Sequence, residues 1–400
     1  MRVLALASYP VEAAATRYRL HQFVEPLAER GIELDVRPFL HSSLFASLYQ
    51  RSRLPLTAVG LGAAAMKRLG DVLSARRADV VLVQREAMMF GPPLVEWLIN
   101  RLGNCPMVLD LDDATYVSYT SPTYGRLGSA FKWFSKTDDL IGWASAVVCG
   151  NRSIAEYVKG KGARAVIIPT VVDTERFRPV ASAVEKDVPV VGWIGTHSTY
   201  PFLESIFPAL EALATEYRFK LKVVGAGRKE VQVAGVLVEN LDWSLKREIE
   251  DFQSFDIGLY PIDTKLYADW ATGKSGFKAI QYMAVGIPYV VTPVAACAEI
   301  GEAGVTHFCA ETIEEWRARL AELLEDTSRR KRMGEAGRRH ALEHYTVPLQ
   351  ADKLARVLYE AAGKDYDRDG HSRAGNASRG ERRDAVAEEN GAGSRTAGRG

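Results

Sequence analysis

The sequence predicts an α/β protein of two doubly wound domains that face each other across a cleft. Three observations lead there. Short apolar runs of buried-strand type alternate with helical periodicity in a strand–helix–strand rhythm. That rhythm runs twice, and a proline- and charge-containing stretch at 176–187 separates the two series. The chain has 400 residues, which at about 150 residues per domain leaves room for two or three domains.

The first series opens with a strand at 2–7. A helix at 18–30 follows, with Leu20, Phe23, Val24 and Leu27 at helical spacing and Gly31 closing it. The next strand is 32–36, and such a βαβ unit implies a parallel sheet. Strands at 78–83, 106–111, 146–149 and 166–169 continue the series, with helices at 93–102 and from 150 through Tyr157. The second series has strands at 188–195, 220–225, 255–261 and 287–291, and helices at 202–217 and 277–285. Amphipathic helices are expected at 314–325 and 352–362. From Lys364 to Gly400 the chain is rich in glycine and in charges of both signs, with only Tyr366 and Val386 as large apolar groups. Such a segment buries too little surface to offset its chain entropy and is expected to be disordered. The division is therefore 1–180 for the first domain, 187–346 for the second, 347–363 for a C-terminal helix and 364–400 for a tail. Ligands of open α/β sheets bind beyond the carboxyl ends of the strands, so two facing domains place their site between those ends.

Composition narrows the function. Apolar residues make up 47% and charged residues 25%, which fits a soluble globular chain and excludes a fibrous or wholly disordered one. A net charge of +1 gives no global positive field, which argues against nucleic acid as a partner. The longest nearly apolar run, 54–66, is too short to span a bilayer, and 1–10 lacks the long apolar core of a signal peptide. Cys105, Cys149, Cys297 and Cys309 show no paired spacing. Buried free thiols in a reducing compartment are the expectation, hence a cytoplasmic protein.

Two segments carry chemistry. In the first, Gly273 and Gly276 stand just before a helix and Lys274 and Lys278 lie four apart. A helix N-terminus offers free N–H groups and partial positive charge, which suits phosphate, and the two lysines add full charges. The plain alternative is a capped helix with two solvated lysines. In the second, a strand runs into Gly195 and then Thr196, His197, Ser198 and Thr199. Gly195 permits close backbone approach by a ligand, and the hydroxyls can cap a helix or donate to phosphate. An ordinary N-cap would explain one hydroxyl but not three. His197 is open to three readings: a cation, a proton carrier or a polar loop residue.

These two segments, in this order and about 80 residues apart, resemble retaining glycosyltransferases of family 4. The match is to the subgroup with a strand-end WIG(S/T)xST and a later GKxxxKxxQYMAxGxPxVxxPV. The resemblance extends to Thr16-Arg17-Tyr18-Arg19, Gln84-Arg85-Glu86, the run 109–114, Gly150-Asn151 and the run 168–177. It implies the GT-B fold, two facing Rossmann-like domains with the nucleotide sugar held mainly by the second. It also implies an enzyme of the hexosyltransferase type. The donor would be a nucleotide diphosphate sugar and the acceptor a glycan or lipid-linked hydroxyl in cell-envelope synthesis, with no metal or other cofactor. Family members commonly carry two glutamates eight apart at the helix; Gly273 and Gln281 occupy the matching positions here. Gln281 can still hydrogen-bond ribose, while Asp269 or Lys274 would have to replace the first glutamate. Lys274 and Lys278 would supply the charge that a departing diphosphate needs.

The first domain offers further candidates. Asp110 and Asp112 have the DxD spacing of some metal-dependent transferases, but two carboxylates alone make a poor cation site. Asp112 or Asp113 orienting a substrate hydroxyl at the cleft is the preferred reading. Glu86 is a second cleft carboxylate, or else an ion-pair partner of Arg85. Arg17 and Arg19 meet an anionic acceptor such as a lipid phosphate, or else begin a solvated helix. Two stretches, 51–77 and 131–136, mix apolar and basic residues. They fit interfacial helices making peripheral contact at the inner face of a membrane; core-facing helices are preferred. The rival functions are a nucleotide-sugar epimerase on the same fold and a non-catalytic nucleotide-sugar-binding subunit. A dinucleotide-dependent oxidoreductase is disfavoured because no GxGxxG follows the first strand.

Overall fold

The computed structural model describes residues 1–48, 54–103, 105–118, 125–180, 187–263, 273–294 and 296–366. Its strands are β1 (Arg2–Ala7), β2 (Glu33–Pro38), β3 (Val80–Gln84), β4 (Met107–Leu111), β5 (Ala146–Cys149) and β6 (Ala165–Ile167) in the first domain. The second domain holds β7 (Val190–Ile194), β8 (Lys220–Val224), β9 (Leu237–Leu241), β10 (Ile257–Tyr260), β11 (Tyr289–Val291) and β12 (Phe308–Cys309). The first sheet has the order β2-β1-β3-β4-β5-β6 and the second β12-β11-β10-β7-β8-β9. Every pairing is parallel. Two doubly wound α/β domains are thus present, as the alternating pattern predicts. The order of strand addition reverses between β1 and β3 in the first sheet and between β7 and β10 in the second. Such switch points open a crevice beyond the carboxyl ends of the strands.

Side-chain alternation explains why the strands are apolar throughout. Val3, Ala5, Val80, Leu82, Val108 and Val148 point to one face of the first sheet. Leu4, Leu6, Val81, Val83, Leu109 and Cys149 point to the other. Both faces are covered, so both sets must be apolar. The second sheet divides likewise, with Val191, Trp193, Leu221 and Leu259 on one face and Ile194, Val224, Tyr260 and Val291 on the other. Two strands escape the sequence pattern. β9 is a half-exposed edge strand containing Glu239 and Asn240, and β12 has only two residues. The expected helix 18–30 is broken into Ala14–Arg19, a 3-10 turn His21–Phe23 and Val24–Ala28. Leu20, Phe23 and Leu27 all turn onto the first sheet, and that packing overrides helical continuity. The expected helix 202–217 is likewise two helices, Tyr200–Glu204 and Phe207–Ala214, the second with a proline in its first turn. A helix at Thr327–His344, which the pattern reading omits, packs on the second domain.

The chain crosses between domains twice. It leaves the first domain after β6 and returns at the helix Val347–Ala361, whose Val347, Leu354, Val357 and Leu358 complete the first domain's core. Asp352 pairs with Arg30 at 2.6 Å, and the Tyr359 hydroxyl donates to the Arg30 carbonyl at 2.9 Å. Of the expected tail, Lys364 and Tyr366 are anchored: Lys364 Nζ donates to Asp79 Oδ1 at 2.8 Å and the Tyr366 hydroxyl to Asp352 Oδ1 at 3.3 Å. The rest of that tail lies outside the described residues. All four cysteines are free thiols, Cys149 and Cys297 buried, Cys105 and Cys309 half-buried. Among the described residues no helix is long and apolar enough to cross a membrane.

Candidate active site between the two sheets

Both sequence segments meet at the β7/β10 switch point of the second domain. At the end of β7 the Gly195 amide donates to the Val224 carbonyl at 3.0 Å. A side chain at Gly195 would run into the Trp193 ring, its Cβ 2.2 Å from Cζ2. The loop after β8 presses against it: Gly225 has φ +79, and a Cβ there would lie 2.4 Å from the Gly195 carbonyl oxygen. Only glycine satisfies both demands at position 225. This Gly225-Ala226-Gly227 loop was not among the sequence candidates, although glycines at a strand end were the signal to follow. Thr196 and Thr199 close the turn on themselves. The Thr196 amide donates to Thr199 Oγ1 at 3.0 Å, and Thr196 Oγ1 lies 2.8 Å from Ser198 Oγ. The three hydroxyls therefore shape the turn, and Thr196, His197 and Ser198 are exposed to solvent.

The helix Phe277–Ala284 follows Gly276, which takes a left-handed conformation at φ 65 as its N-cap. Lys278 in its first turn extends beside two rings, with Nζ 5.2 Å from the Tyr260 centroid and 6.0 Å from that of Trp193. Trp193 is the ring that also packs against Gly195, so the two segments are physically joined through it. Among the described residues Lys278 makes no ion pair. Burial, with the Lys274 charge adding to it, lowers the Lys278 ammonium to about 8. Burial lowers Lys274 as well, partly offset by the Asp113 carboxylate. Gln281 lies one turn further along the helix, buried, and its amide makes no hydrogen bond among the described residues. Asp269 lies outside the described residues.

The first domain meets this corner directly. A Cβ at Gly273 would lie 2.3 Å from the Ala114 Cβ. The position is thus an inter-domain contact with no room for a sugar-binding side chain. Asn151 does two things: its Oδ1 accepts the Ile154 amide at 2.8 Å and caps the helix Arg152–Gly160, while its Nδ2 donates to the Lys274 carbonyl at 3.0 Å. Beside Ala114, Arg85 holds Asp112 in a two-point pair at 2.5 and 2.7 Å. Arg85 adopts φ 60, a left-handed conformation rare for a side-chain-bearing residue. Burial would raise the Asp112 carboxyl, but Arg85 overrides it and holds the group below the ordinary range. Asp112 is therefore an ionised, fully engaged carboxylate rather than one open to a substrate hydroxyl. Asp113 is more open, with side-chain exposure of 27%, and stands 3.9 Å from Arg85.

Three other expectations are corrected. Glu86 does not pair with Arg85. It is buried and held by Lys132 and by Lys136 at 2.6 Å, because Arg85 has turned to Asp112. Arg19 is buried and paired with Asp110, its Nε donating at 3.0 Å, and its Nη1 donates to the Ile168 carbonyl at 2.6 Å. It locks the carboxyl ends of β4 and β6 together and does not face an acceptor. Asp110 and Asp112 are thus each committed to an arginine, which leaves the DxD spacing without open ligands. Among the described residues no group of three or more His, Cys, Asp or Glu is gathered to hold a metal. Arg17 donates to the Glu12 carbonyl at 3.1 Å and pairs with Glu248 of the second domain at 3.3 Å. The Tyr18 hydroxyl donates to the same carboxylate at 2.8 Å, and its ring packs 4.6 Å from Phe277. Arg17 therefore ties the domains together. A cavity of about 850 Å³ opens beside this tie, lined by Tyr18, His21, Arg176, Leu342 and Pro348 among others. It lies at the chain crossovers and includes neither lysine of the switch point.

Residues 188–326 match the family described as Glycosyl transferases group 1. No curated protein sequence matches the chain. Among solved structures, sucrose-phosphate synthase from Thermosynechococcus elongatus superposes with a TM-score of 0.65 at 15% identity, covering 90% of this chain and 99% of that one. A glycosyltransferase from Rickettsia africae gives 0.64 at 14% identity, covering 90% and 98%. HepE from Anabaena, in complex with UDP-glucose, gives 0.65 at 16% identity, covering 90% and 99%. The second domain thus matches the glycosyl transferases group 1 model, and the whole chain shares the GT-B fold of these solved structures. The domain match and the shared fold point to a glycosyltransferase.

Proposed function

We propose that this protein is a cytoplasmic retaining glycosyltransferase that moves a sugar from a nucleotide diphosphate sugar to a hydroxyl of a glycan or lipid-linked acceptor in cell-envelope synthesis. The observation that carries the reading is the cationic corner at the β7/β10 switch point. Lys274, Lys278 and a helix N-terminus converge there beside the Gly195 and Gly225 loops, in a chain whose net charge is only +1. The likeness to HepE, solved with UDP-glucose, supports the donor class.

In this reading the bond between the anomeric carbon and the diphosphate oxygen breaks as negative charge grows on the leaving group. Lys278 and Lys274, both half-buried, stabilise that charge where water is partly excluded, so each contact is worth more than in bulk solvent. The acceptor oxygen bonds to the same face of the anomeric carbon, and its proton passes to the departing diphosphate oxygen. No side-chain base is required. Gln281 hydrogen-bonds the ribose hydroxyls. Asp113, the open carboxylate of the facing domain, orients a hydroxyl of the reacting sugar or acceptor. Arg85, Asp112, Glu86, Lys132 and Lys136 keep the facing loops rigid. No metal takes part in these steps.

The test is incubation of the full chain with nucleotide diphosphate sugars and an acceptor extract, followed by NMR of the product linkage. An α-configured donor is expected to give an α-linked product. A β-linked product would contradict retention, and donor binding without transfer to any acceptor would favour a non-catalytic binding subunit.

A further inference from the structure

The helix Leu54–Ala75 is the longest in the described chain and has two unlike faces. One faces inward and is fixed. Ala64, Arg68, Asp71, Val72 and Ala75 are buried; Arg68 Nη2 donates to the Ala7 carbonyl at 2.8 Å, and Asp71 pairs with Arg37 at 2.9 Å. The other carries Leu56, Val59, Met66 and Leu73, exposed by 75%, 74%, 71% and 68%. Ala63 and Gly70, also exposed, fall between them at the same alternating spacing of three and four residues, so the six line one stripe along the helix. The core-facing arrangement preferred from sequence holds for one face, where Leu61, Leu69 and Val72 pack inward, while the opposite face turns four large apolar side chains outward.

Other exposed apolar groups lie nearby. The helix Leu94–Leu102 packs beside the helix Leu54–Ala75, joined where Arg76 Nε donates to the Leu102 carbonyl at 3.4 Å. That helix exposes Leu94, Trp97 and Leu102. The Gly91 amide, three residues before it, donates to the Phe131 carbonyl at 2.8 Å, and Phe131 and Trp133 are exposed by 67% and 49%. Scattered exposed apolar groups need no explanation, but a continuous apolar stripe along a helix with further exposed aromatics nearby marks an interaction surface.

Charge identifies the partner. Each of the two helices has one carboxylate, Asp71 and Glu96, and both are buried. The exposed charged groups on and beside the stripe are Lys67, Arg76, Arg77 and Arg101, all positive. A second copy meeting this face about a two-fold axis would bring like charges together. An anionic lipid surface complements both the apolar stripe and the basic rim, and exposed tryptophans suit the headgroup boundary. At 22 residues the helix is about 33 Å long, and it lies along the first domain rather than projecting from it.

We propose that this face of the first domain docks the protein flat on a negatively charged membrane. The inference rests on the exposed face alone. If the activity proposed above holds, it places the acceptor domain against the membrane and favours a lipid-linked acceptor.

The test is co-sedimentation of the full chain with vesicles of phosphatidylcholine alone and of an equimolar mixture with phosphatidylglycerol. Strong binding is expected only to the mixed vesicles, weakening with salt. Leu56→Glu with Met66→Glu is expected to lower it about tenfold or more, and Arg76→Glu with Arg77→Glu by a similar factor. Brominated lipid should quench tryptophan fluorescence in the wild type and not in the variants. Circular dichroism checks the fold, and the arginine pair carries the test if the apolar pair fails to fold. No binding to the mixed vesicles would overturn the proposal, as would equal binding by the variants. So would a wild-type dimer that Leu56→Glu with Met66→Glu converts to monomer. None of these substitutions touches the donor site, so loss of binding with donor hydrolysis intact separates this proposal from the activity.

Discussion

Lys278 concentrates the argument at the scale of single residues. Its ammonium is lowered to about 8 because partial burial takes away some of its water and Lys274 stands near. The unfolded chain holds that proton up to the usual lysine range, so between about 8 and 10.5 the unfolded state binds more protons and this group's contribution to stability rises with pH. Below that window, keeping the cation costs stability. Lys278→Met is therefore expected to melt higher than the wild type at pH 7 while losing turnover; a variant with undiminished transfer would remove Lys278 from the mechanism. A diphosphate should bind best below pH 8 and more weakly as pH rises through that value, with proton uptake on binding above it. Calorimetry in two buffers of different ionisation enthalpy reads both effects. Asp112 behaves oppositely. Its carboxyl is held below the ordinary range by Arg85, so its contribution is complete above pH about 4 and is lost as pH falls through the lowered value. Asp112→Asn leaves Arg85 without its charge partner and is expected to cost about 3–5 kcal/mol by denaturant unfolding.

At the scale of elements, what the sequence made legible follows from where information is local. β1, β3, β4 and β5 are apolar on both faces because both are covered, and such runs are plain to see. β9 is not, since an edge strand keeps polar groups toward solvent. The two donor-side segments could be read because each is contiguous: Gly195 to Thr199, and Gly273 to Gln281. The facing site could not, because its pairings join distant parts of the chain. Arg19 meets Asp110 across 91 positions, Lys132 meets Glu86 across 46, and Tyr18 meets Glu248 across 230. No local pattern announces which arginine turns to which carboxylate. Gly273 shows the same limit: its glycine reads as a turn but serves as the point where two domains touch at Ala114. Gly273→Ala is accordingly expected to prise that corner open and lower kcat/KM for transfer at least about tenfold with unchanged circular dichroism. Wild-type kinetics would show that the contact does not matter.

On the scale of the whole molecule, two crossings and a set of inter-domain ties hold the sheets face to face. The helix Val347–Ala361 belongs by sequence to the end of the chain but by packing to the first domain. Each of its fully buried leucines contributes about 1.5–3 kcal/mol of burial. Ending the chain at Thr346 should therefore destabilise the first domain selectively and split thermal unfolding into two transitions. A single unshifted transition would refute that assignment. The near-neutral charge of the chain gains meaning here: positive charge is local, at the switch point proposed to hold a diphosphate. That claim is tested most directly by thermal-shift measurement of the full chain and of Lys278→Ala against UDP-, GDP-, ADP- and TDP-sugars. A ligand present at about 100 times its Kd stabilises the folded state by about 2.7 kcal/mol. A rise of a few degrees is expected with at least one donor in the wild type and none in the variant. No rise with any donor in the wild type, or an equal rise in Lys278→Ala, would contradict it.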